Sequence, residues 1–222
     1  MPPDRWSTSL AENPRVYDAV QRLAGQSIVY RRIARVLAPA PGETVLDVGA
    51  GTGNLVRILP PEIDYWALDN DPAKLHRLAQ KVPRARCLQG TALDMGISDA
   101  AVDWTVCVAV AHHLDDRQLP LLVAELARVT RQRLIFLDPL AATGPGAAAL
   151  LWRYDRGSHP RSERTLLDRL SRSFEFEHVE RFRVLHRYVL CSARPIGAHS
   201  VGHSSYEHRQ RPARVAGDPS RR

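Results

Sequence analysis

Short apolar runs that alternate with helical segments constrain the fold of this chain more than any other feature. Segments with helical periodicity occupy residues 53–59, 71–80 and 115–130. Strands that alternate with helices form parallel sheets, and strands that are apolar throughout are covered on both faces. The pattern predicts a three-layer α/β sandwich around a mostly parallel sheet. Five runs have the length and composition of such buried strands: 44–49, 65–69, 86–90, 104–110 and 133–138.

The two ends of the chain complete this organisation. Residues 174–194 form two adjoining strand-like runs, which predict an antiparallel hairpin at one edge of a seven-stranded sheet. Asn13 and Pro14 are residue types that begin a helix, and Gly25 interrupts the helical pattern that follows. We expect three parts: an N-terminal helical segment over 1–40, a main domain over 41–195 and a disordered basic tail over 196–222.

The net charge of +7 gives little support to a nucleic-acid partner. Of 31 basic residues only Lys74 and Lys81 are lysines, so a coding bias toward arginine explains the excess as well as a polyanion does. Residues 196–222 carry +3 of the charge, and the rest shows no concentrated basic stripe. Because neither a membrane-length apolar run nor a secretory signal is visible, we expect a cytoplasmic monomer or homodimer without membrane attachment.

The three cysteines do not predict a cross-linked or metal-bound protein. Cys87, Cys107 and Cys191 form an odd set without the spacing of metal ligands, and each lies in or beside a strand-like run. We expect three buried thiols, no disulfide framework and no metal site.

The sequence VLDVGAGTG, residues 45–53, carries the clearest chemical signal. Gly49, Gly51 and Gly53 follow one another at two-residue spacing, directly after a predicted strand and before a predicted helix. Residues without side chains let the turn tighten and let a ligand lie against the backbone, where the first N–H groups of the helix are free. The turn therefore predicts a nucleotide-like ligand.

The residues around the glycines narrow the kind of ligand. A dinucleotide fingerprint would require Gly or Ala at Asn54, and a P-loop would require Gly-Lys-Ser/Thr after the turn. Asp47 would place a negative charge beside a pyrophosphate, which is unfavourable, whereas an ammonium or sulfonium group would be attracted. The motif favours a small cationic ligand.

With these features the chain resembles the class I S-adenosylmethionine-dependent methyltransferases of the small-molecule group, whose fold is Rossmann-like. The resemblance implies that the glycines and Ala50 lie along the cofactor and that Asp47 faces its methionyl amino end. Asp69 ends the second predicted strand, beside Asn70, and matches the family's second motif. The resemblance implies that its two carboxylate oxygens accept the two ribose hydroxyls.

Two further segments match the family's pattern. Thr91 stands where an acidic residue is usual near the adenine, and Ala92 and Leu93 follow it with backbone N–H groups and apolar cover. The run VDWTVCVAVAHHLDD is similar to the family's fourth strand, which implies that Val108 and Ala109 lie near the cofactor or the transferred methyl group.

Methyl transfer from a sulfonium is an in-line displacement. Alignment of the acceptor, the methyl group and the sulfur can by itself lower the activation barrier by about 7 to 11 kcal/mol. A general base helps where the acceptor is a phenol, an amine or an acidic carbon, and histidine suits that role near neutral pH. The candidate bases are His112, His113 and His159. The N-terminal segment and the region near residue 155 are expected to cover the acceptor pocket, and four aromatic residues there are candidates to frame an aromatic acceptor: Tyr17, Tyr30, Trp152 and Tyr154.

A small-molecule acceptor, methylated at O, N or C and belonging to secondary metabolism, is the first hypothesis. The sequence lacks the Asn/Asp-Pro-Pro-aromatic run of enzymes that methylate exocyclic base amines, and it lacks the Pro-Cys nucleophile of cytosine methylation. Two alternatives stay open: RNA methylation guided by the basic tail, and a cofactor-binding scaffold or cyclase on the same fold.

Deletion of residues 196–222 tests the RNA alternative. We expect the shortened protein to methylate a small acceptor at the full rate, because the motifs lie outside the tail. If the tail guides RNA, its removal instead abolishes activity together with the salt sensitivity of binding. Transfer rates from methyl-labelled cofactor and salt-titrated RNA binding measure both outcomes.

Overall fold

The computed structural model describes residues 25–141, 159–184 and 186–197. It contains a seven-stranded sheet with the order β3-β2-β1-β4-β5-β7-β6. The first five strands pair in parallel, and β7 runs antiparallel to both β5 and β6. This confirms the predicted fold class, including the terminal hairpin. The strands are β1 (Thr44–Val48), β2 (Asp64–Asp69), β3 (Arg86–Gln89), β4 (Val102–Val108), β5 (Thr130–Pro139), β6 (Phe174–Arg183) and β7 (Arg187–Pro195).

Helices cover both faces of the sheet. They are α1 (Gln26–Val36), α2 (Pro72–Lys81), α3 (Gln118–Val129) and α4 (Glu163–Leu170). The buried residues of α1 and α2 form one apolar cluster with the sheet, and those of α3 and α4 form a second cluster on the opposite face. The amphipathic pattern of α3 accounts for this arrangement, since the apolar residues of one of its faces are all buried: Leu119, Leu122, Val123, Leu126 and Val129.

The start of α2 follows from its sequence. The carboxylate of Asp71 accepts hydrogen bonds from the N–H groups of Ala73 and Lys74, at 2.9 and 3.3 Å, and Pro72 occupies the first helical position. An acidic cap followed by proline satisfies the donors that a helix start leaves open.

Some local expectations need correction. Residues 53–59 do not form an α-helix but only a short 3-10 turn, Leu55–Ile58, because Pro60 and Pro61 end the segment and proline disfavours helical backbone in the residue before it. Cys87 is half-buried rather than buried, since β3 is an edge strand, whereas Cys107 and Cys191 are buried and all three are free thiols.

The N-terminal segment is described only from Gly25 onward. Gly25 precedes α1 with a φ of +86°, and a side chain there would meet Val184. The helix start expected at Asn13 and Pro14 lies outside the described residues, as does the tail beyond residue 197. Within the described part of the chain, no helix is long and apolar enough to cross a membrane.

Asp103 ties the amino ends of the three central strands together. Its carboxylate accepts the N–H of Thr44 at 3.0 Å, the Nε of Arg131 at 2.9 Å and the side-chain amide of Gln132 at 2.7 Å. Burial alone would raise the pKa of Asp103, but these hydrogen bonds outweigh it and lower the pKa below its ordinary value.

Replacing Asp103 with asparagine should lower the free energy of unfolding at pH 7 by about 1.5 to 3 kcal/mol, the range for hydrogen bonds to a charged group. Because the pKa of Asp103 is lower in the folded state, its contribution is present above the unfolded pKa of about 4 and is lost as pH falls through the folded value. Urea unfolding of wild type and variant at several pH values measures this difference.

The matched control is Asp99→Asn. Among the described residues the carboxylate of Asp99 bonds to Arg128 alone, and it is 81% exposed, so the change should cost less than about 0.5 kcal/mol at every pH. A constant difference between wild type and the Asp103 variant from pH 7 down to pH 3 would contradict the role of the ionised carboxylate.

Candidate functional site

The predicted cofactor residues meet at one edge of the sheet. The carboxyl ends of β1, β2, β4 and β5 lie at this edge because these strands are parallel. β1 continues toward β2 and α2 on one face, whereas β4 continues toward α3 on the other. The crevice between β1 and β4 is therefore the topological switch point, where open α/β sheets bind their ligands.

The three glycines of the turn after β1 serve different purposes. A Cβ at Gly49 would lie 2.6 Å from Cγ2 of Val110, and one at Gly53 would lie 2.9 Å from Cγ of Leu78. A Cβ at Gly51 would meet no protein atom within 4 Å. The packing of the protein itself excludes side chains at the outer two positions, whereas Gly51 faces open space that a ligand can occupy.

The backbone donors of this turn are used within the protein. The N–H groups of Gly49 and Ala50 donate to the carbonyl of Leu68, at 2.8 and 3.0 Å, and the N–H of Gly53 donates to the carbonyl of Ala50 at 2.9 Å. We expect free N–H groups at the start of the helical segment 53–59; at Gly53 this expectation is wrong, because its N–H is bonded inside the turn.

Asp69 joins the turn to the end of β2. Its Oδ2 accepts the N–H of Gly51 at 2.8 Å, its Oδ1 accepts the N–H of Asp71 at 2.9 Å, and the residue is only 6% exposed. A carboxylate oxygen has two acceptor sites, so each oxygen keeps capacity for a ribose hydroxyl. The neighbouring Asn70 is exposed.

Asp47 is buried beside the same turn. The hydroxyl of Tyr65 donates to its Oδ2 at 2.7 Å. Burial raises the pKa of Asp47 to about 7, against the lowering effect of the Tyr65 hydrogen bond, and the nearby Asp69 raises it further. Our reading of the sequence missed Tyr65; the available signal was a hydroxyl in an otherwise apolar strand that neighbours the strand of Asp47.

The segment after β3 lies at the same edge. The hydroxyl of Thr91 accepts the N–H of Leu93 at 3.2 Å, so this donor is engaged inside the turn. Ala92 and Leu93 are both half-buried against the cluster on the α3 side, which leaves part of their apolar surface available as cover for a ring.

The end of β4 carries a strained residue. Ala109 has a φ of +56°, a conformation that L-residues rarely adopt and that costs about 1 to 2 kcal/mol. Val108 before it is half-buried, and Val110 after it packs where a side chain of Gly49 would lie. The strained backbone turns the chain across the crevice, as is common at binding sites.

The three candidate histidines gather beyond the end of β4. His112 is buried, and its Nδ1 lies 3.1 Å from Oδ1 of the buried Asp138 on β5. His113 is exposed, with its ring centroid 4.1 Å from that of His112. His159 is also exposed, and its N–H donates to the carbonyl of His112 at 3.0 Å. The burial of His112 favours a structural role, and His113 is the better placed candidate base.

Asp138 and Arg161 support this turn, and our reading of the sequence assigned neither role. Burial raises the pKa of Asp138, while its hydrogen bond with His112 lowers it. The guanidinium of the buried Arg161 donates to the carbonyls of Ala111 and Leu114, at 2.8 and 2.6 Å. In a chain with so many arginines, no sequence signal distinguishes Arg161 from the exposed ones.

The candidate acceptor residues are only partly described. Tyr30 lies on α1, half-buried against the α1–α2 side of the sheet. Tyr17, Trp152 and Tyr154 lie outside the described residues. Among the described residues, no three His, Cys, Asp or Glu side chains gather as a metal site.

Comparisons with known proteins agree with this arrangement. Residues 45–133 match the model of a methyltransferase domain. An uncharacterized methyltransferase of Mycobacterium tuberculosis is 41% identical over 98 residues, which are 43% of this chain and 38% of the relative. The malonyl-[acyl-carrier protein] O-methyltransferase of Serratia marcescens is 33% identical over 129 residues, which are 58% of this chain and 49% of that enzyme.

A solved structure shares the fold. Geranyl diphosphate C-methyltransferase from Streptomyces coelicolor, in complex with S-adenosyl-L-homocysteine, has a TM-score of 0.65 and 14% identity, over 77% of this chain and 76% of that one. Residues 45–133 are thus similar to a methyltransferase domain, and the described part of the chain shares the fold of this structure. The chain spans about two fifths of the length of the mycobacterial relative and about half of the Serratia enzyme.

Alanine substitutions in the glycine turn should distinguish positions closed by packing from the position that faces open space. Gly49→Ala forces a methyl group onto Val110 at a positive φ, so we expect a loss of about 2 to 4 kcal/mol in the free energy of unfolding. Gly51→Ala should cost only the backbone strain, about 1 to 2 kcal/mol. Equal losses in urea unfolding would show that Gly51 does not face open space.

The two adjacent histidines should also differ in how much they contribute to the free energy of unfolding. His112→Ala leaves Asp138 buried without its ring partner, so we expect a loss of about 3 to 5 kcal/mol. His113→Ala removes an exposed side chain and should change the free energy of unfolding by less than about 1 kcal/mol. Urea unfolding of both variants measures this, and a larger loss for His113→Ala would reverse the assignment.

Proposed function

We propose that the protein is an S-adenosylmethionine-dependent methyltransferase that acts on a small-molecule acceptor at an oxygen, nitrogen or carbon atom. The observation that carries the proposal is the meeting of Asp47, Gly51 and Asp69 at the switch point of the sheet. These residues come from two strands and provide two carboxylates and a stretch of open backbone.

The donor set suits this cofactor. Asp47 presents a buried carboxylate for an ammonium group, and the Asp69 oxygens keep acceptor sites for two hydroxyls. At Gly51 the backbone is open to a ligand. A phosphate-bearing dinucleotide fits less well, because the Asp47 carboxylate would repel its pyrophosphate and the turn N–H groups that would bind it are engaged.

The residues of the chain have separate tasks in the proposed reaction. S-adenosylmethionine supplies a methyl group on a sulfonium, which the acceptor atom takes as the carbon–sulfur bond breaks. The turn from Val108 to Val110 lines the crevice and excludes water. The main contribution of the protein is to align the acceptor atom with the methyl group and the sulfur. His113 accepts the proton that an oxygen or nitrogen acceptor loses.

The relatives support a non-nucleic-acid acceptor. The Serratia relative is a malonyl-[acyl-carrier protein] O-methyltransferase, and the Streptomyces enzyme is a geranyl diphosphate C-methyltransferase. The two acceptors differ in the atom that is methylated, and neither is a nucleic acid.

The decisive experiment incubates the protein with a metabolite extract and methyl-labelled cofactor, followed by mass spectrometry. We expect a small labelled product that forms in step with S-adenosylhomocysteine. Label in RNA instead would support the tail-guided alternative, and product without S-adenosylhomocysteine would support a cyclase. Cofactor binding without turnover would support a scaffold.

Asp69→Asn tests the ribose contact. The amide keeps the shape of the side chain but removes the charge, so we expect cofactor affinity to fall by about 1.5 to 3 kcal/mol, or roughly ten- to a hundredfold. Asp64→Asn at the other end of β2 is the matched control, because its carboxylate is exposed and, within the described part of the chain, bonds to the indole of Trp66 alone. Calorimetry that shows unchanged affinity for the Asp69 variant would contradict the ribose role.

A further inference from the structure

Tyr65 and Asp47 form a buried pair across two neighbouring strands. Tyr65 is opposite Val45 and Asp47 is opposite Ala67, so the two residues are diagonal neighbours on the same face of the sheet. An aromatic side chain can span the roughly 7 to 8 Å between diagonal positions. The phenol of Tyr65 does so and ends 2.7 Å from Oδ2 of Asp47.

The two oxygens of the Asp47 carboxylate are therefore unequal. Oδ2 accepts the Tyr65 hydroxyl, whereas Oδ1 accepts no hydrogen bond from any described residue. Asp47 is 4% exposed and Tyr65 is 1% exposed, and Oδ1 of Asp47 is not among the fully buried polar atoms that lack a partner. The small exposed part of the carboxylate therefore leaves Oδ1 accessible to a donor of a ligand.

The surroundings of the pair contain acids and thiols but no cation among the described residues that act on it. Asp69 at the end of β2 raises the pKa of Asp47, and Asp47 in turn raises the pKa of Cys107 on β4. Burial and the charge of Asp47 raise the pKa of Tyr65 far above its ordinary value, and Tyr30 on α1 and Cys87 on β3 add to this effect. Tyr65 stays protonated, and its hydroxyl always donates.

We propose that Tyr65 is a positioning residue of the cofactor site: its hydroxyl fixes Oδ2 of Asp47, so that Oδ1 is presented as an ionised acceptor to the ammonium group of the ligand. The inference rests on the proposed cofactor, and it adds a residue from β2 that no motif assigns. Packing alone does not require the hydroxyl, since phenylalanine would fill the same apolar space.

Tyr65→Phe separates the two roles. The variant keeps the ring and removes the one donor to Asp47, which favours protonation of the carboxyl. Because the pKa of Asp47 is about 7 in the wild type, loss of a hydrogen bond to a charged group should move it upward by about 1 to 2 units. An Asp47 that is protonated attracts an ammonium group less, so the defect is largest at low pH.

The experiment titrates S-adenosylhomocysteine into both full-length proteins by calorimetry from pH 6 to pH 9. We expect the variant to bind about 10- to 100-fold more weakly at pH 6 and to come within about threefold of wild type at pH 9. The ratio of the two dissociation constants is the readout, because ionisation of the ligand's own amino group cancels in it. Thermal unfolding without ligand shows that the variant is folded.

Tyr188→Phe on β7 is the matched control and should bind like wild type at every pH. A ratio that is close to one throughout, or that is the same at pH 6 and pH 9, would overturn the proposal, since a purely structural role does not depend on the ionisation of Asp47. Failure of wild type itself to bind S-adenosylhomocysteine would instead reject the proposed cofactor.

Discussion

The hydrogen bond from the Gly51 N–H to the Asp69 carboxylate is the contact on which the site depends. It connects the turn after β1 to the last residue of β2, eighteen positions away in the chain. Parallel pairing of the two strands places both at the same edge of the sheet. Since the same carboxylate also accepts the N–H of Asp71, one side chain shapes the glycine turn and the start of the next helix.

Two buried carboxylates lie at this edge without a cation as hydrogen-bond partner. Asp47 accepts the hydroxyl of Tyr65, and Asp69 accepts the backbone N–H groups of Gly51 and Asp71. Burying an acid without a directly paired cation costs stability, because the ionised form loses its hydration. The cost is offset when a cationic ligand enters, and the same acids disfavour anionic ligands. The charges at this edge and the open backbone at Gly51 therefore both favour a cationic ligand that lies against the turn.

Packing rather than ligand contact explains much of the glycine motif. Gly49 makes room for Val110 and Gly53 for Leu78, while only Gly51 leaves its space open. From a single sequence these roles look alike, because all three follow the same two-residue spacing. Steric exclusion by a side chain from α2 or from the turn after β4 becomes visible only when those elements are in place.

The sequence by itself determined the sandwich, the order of the strands along the chain and the cap of α2, since hydrophobic periodicity and end signals are local properties. It also indicated the carboxylates Asp47 and Asp69, because parallel strands bring their carboxyl ends together. The tertiary structure alone decided that Tyr65 donates to Asp47 and that His112 is buried against Asp138. It also decided that Arg161 donates to the backbone of the turn that contains His112. Those contacts join residues 18 to 50 positions apart, and their geometry depends on strand register and on which side chains reach across neighbouring strands.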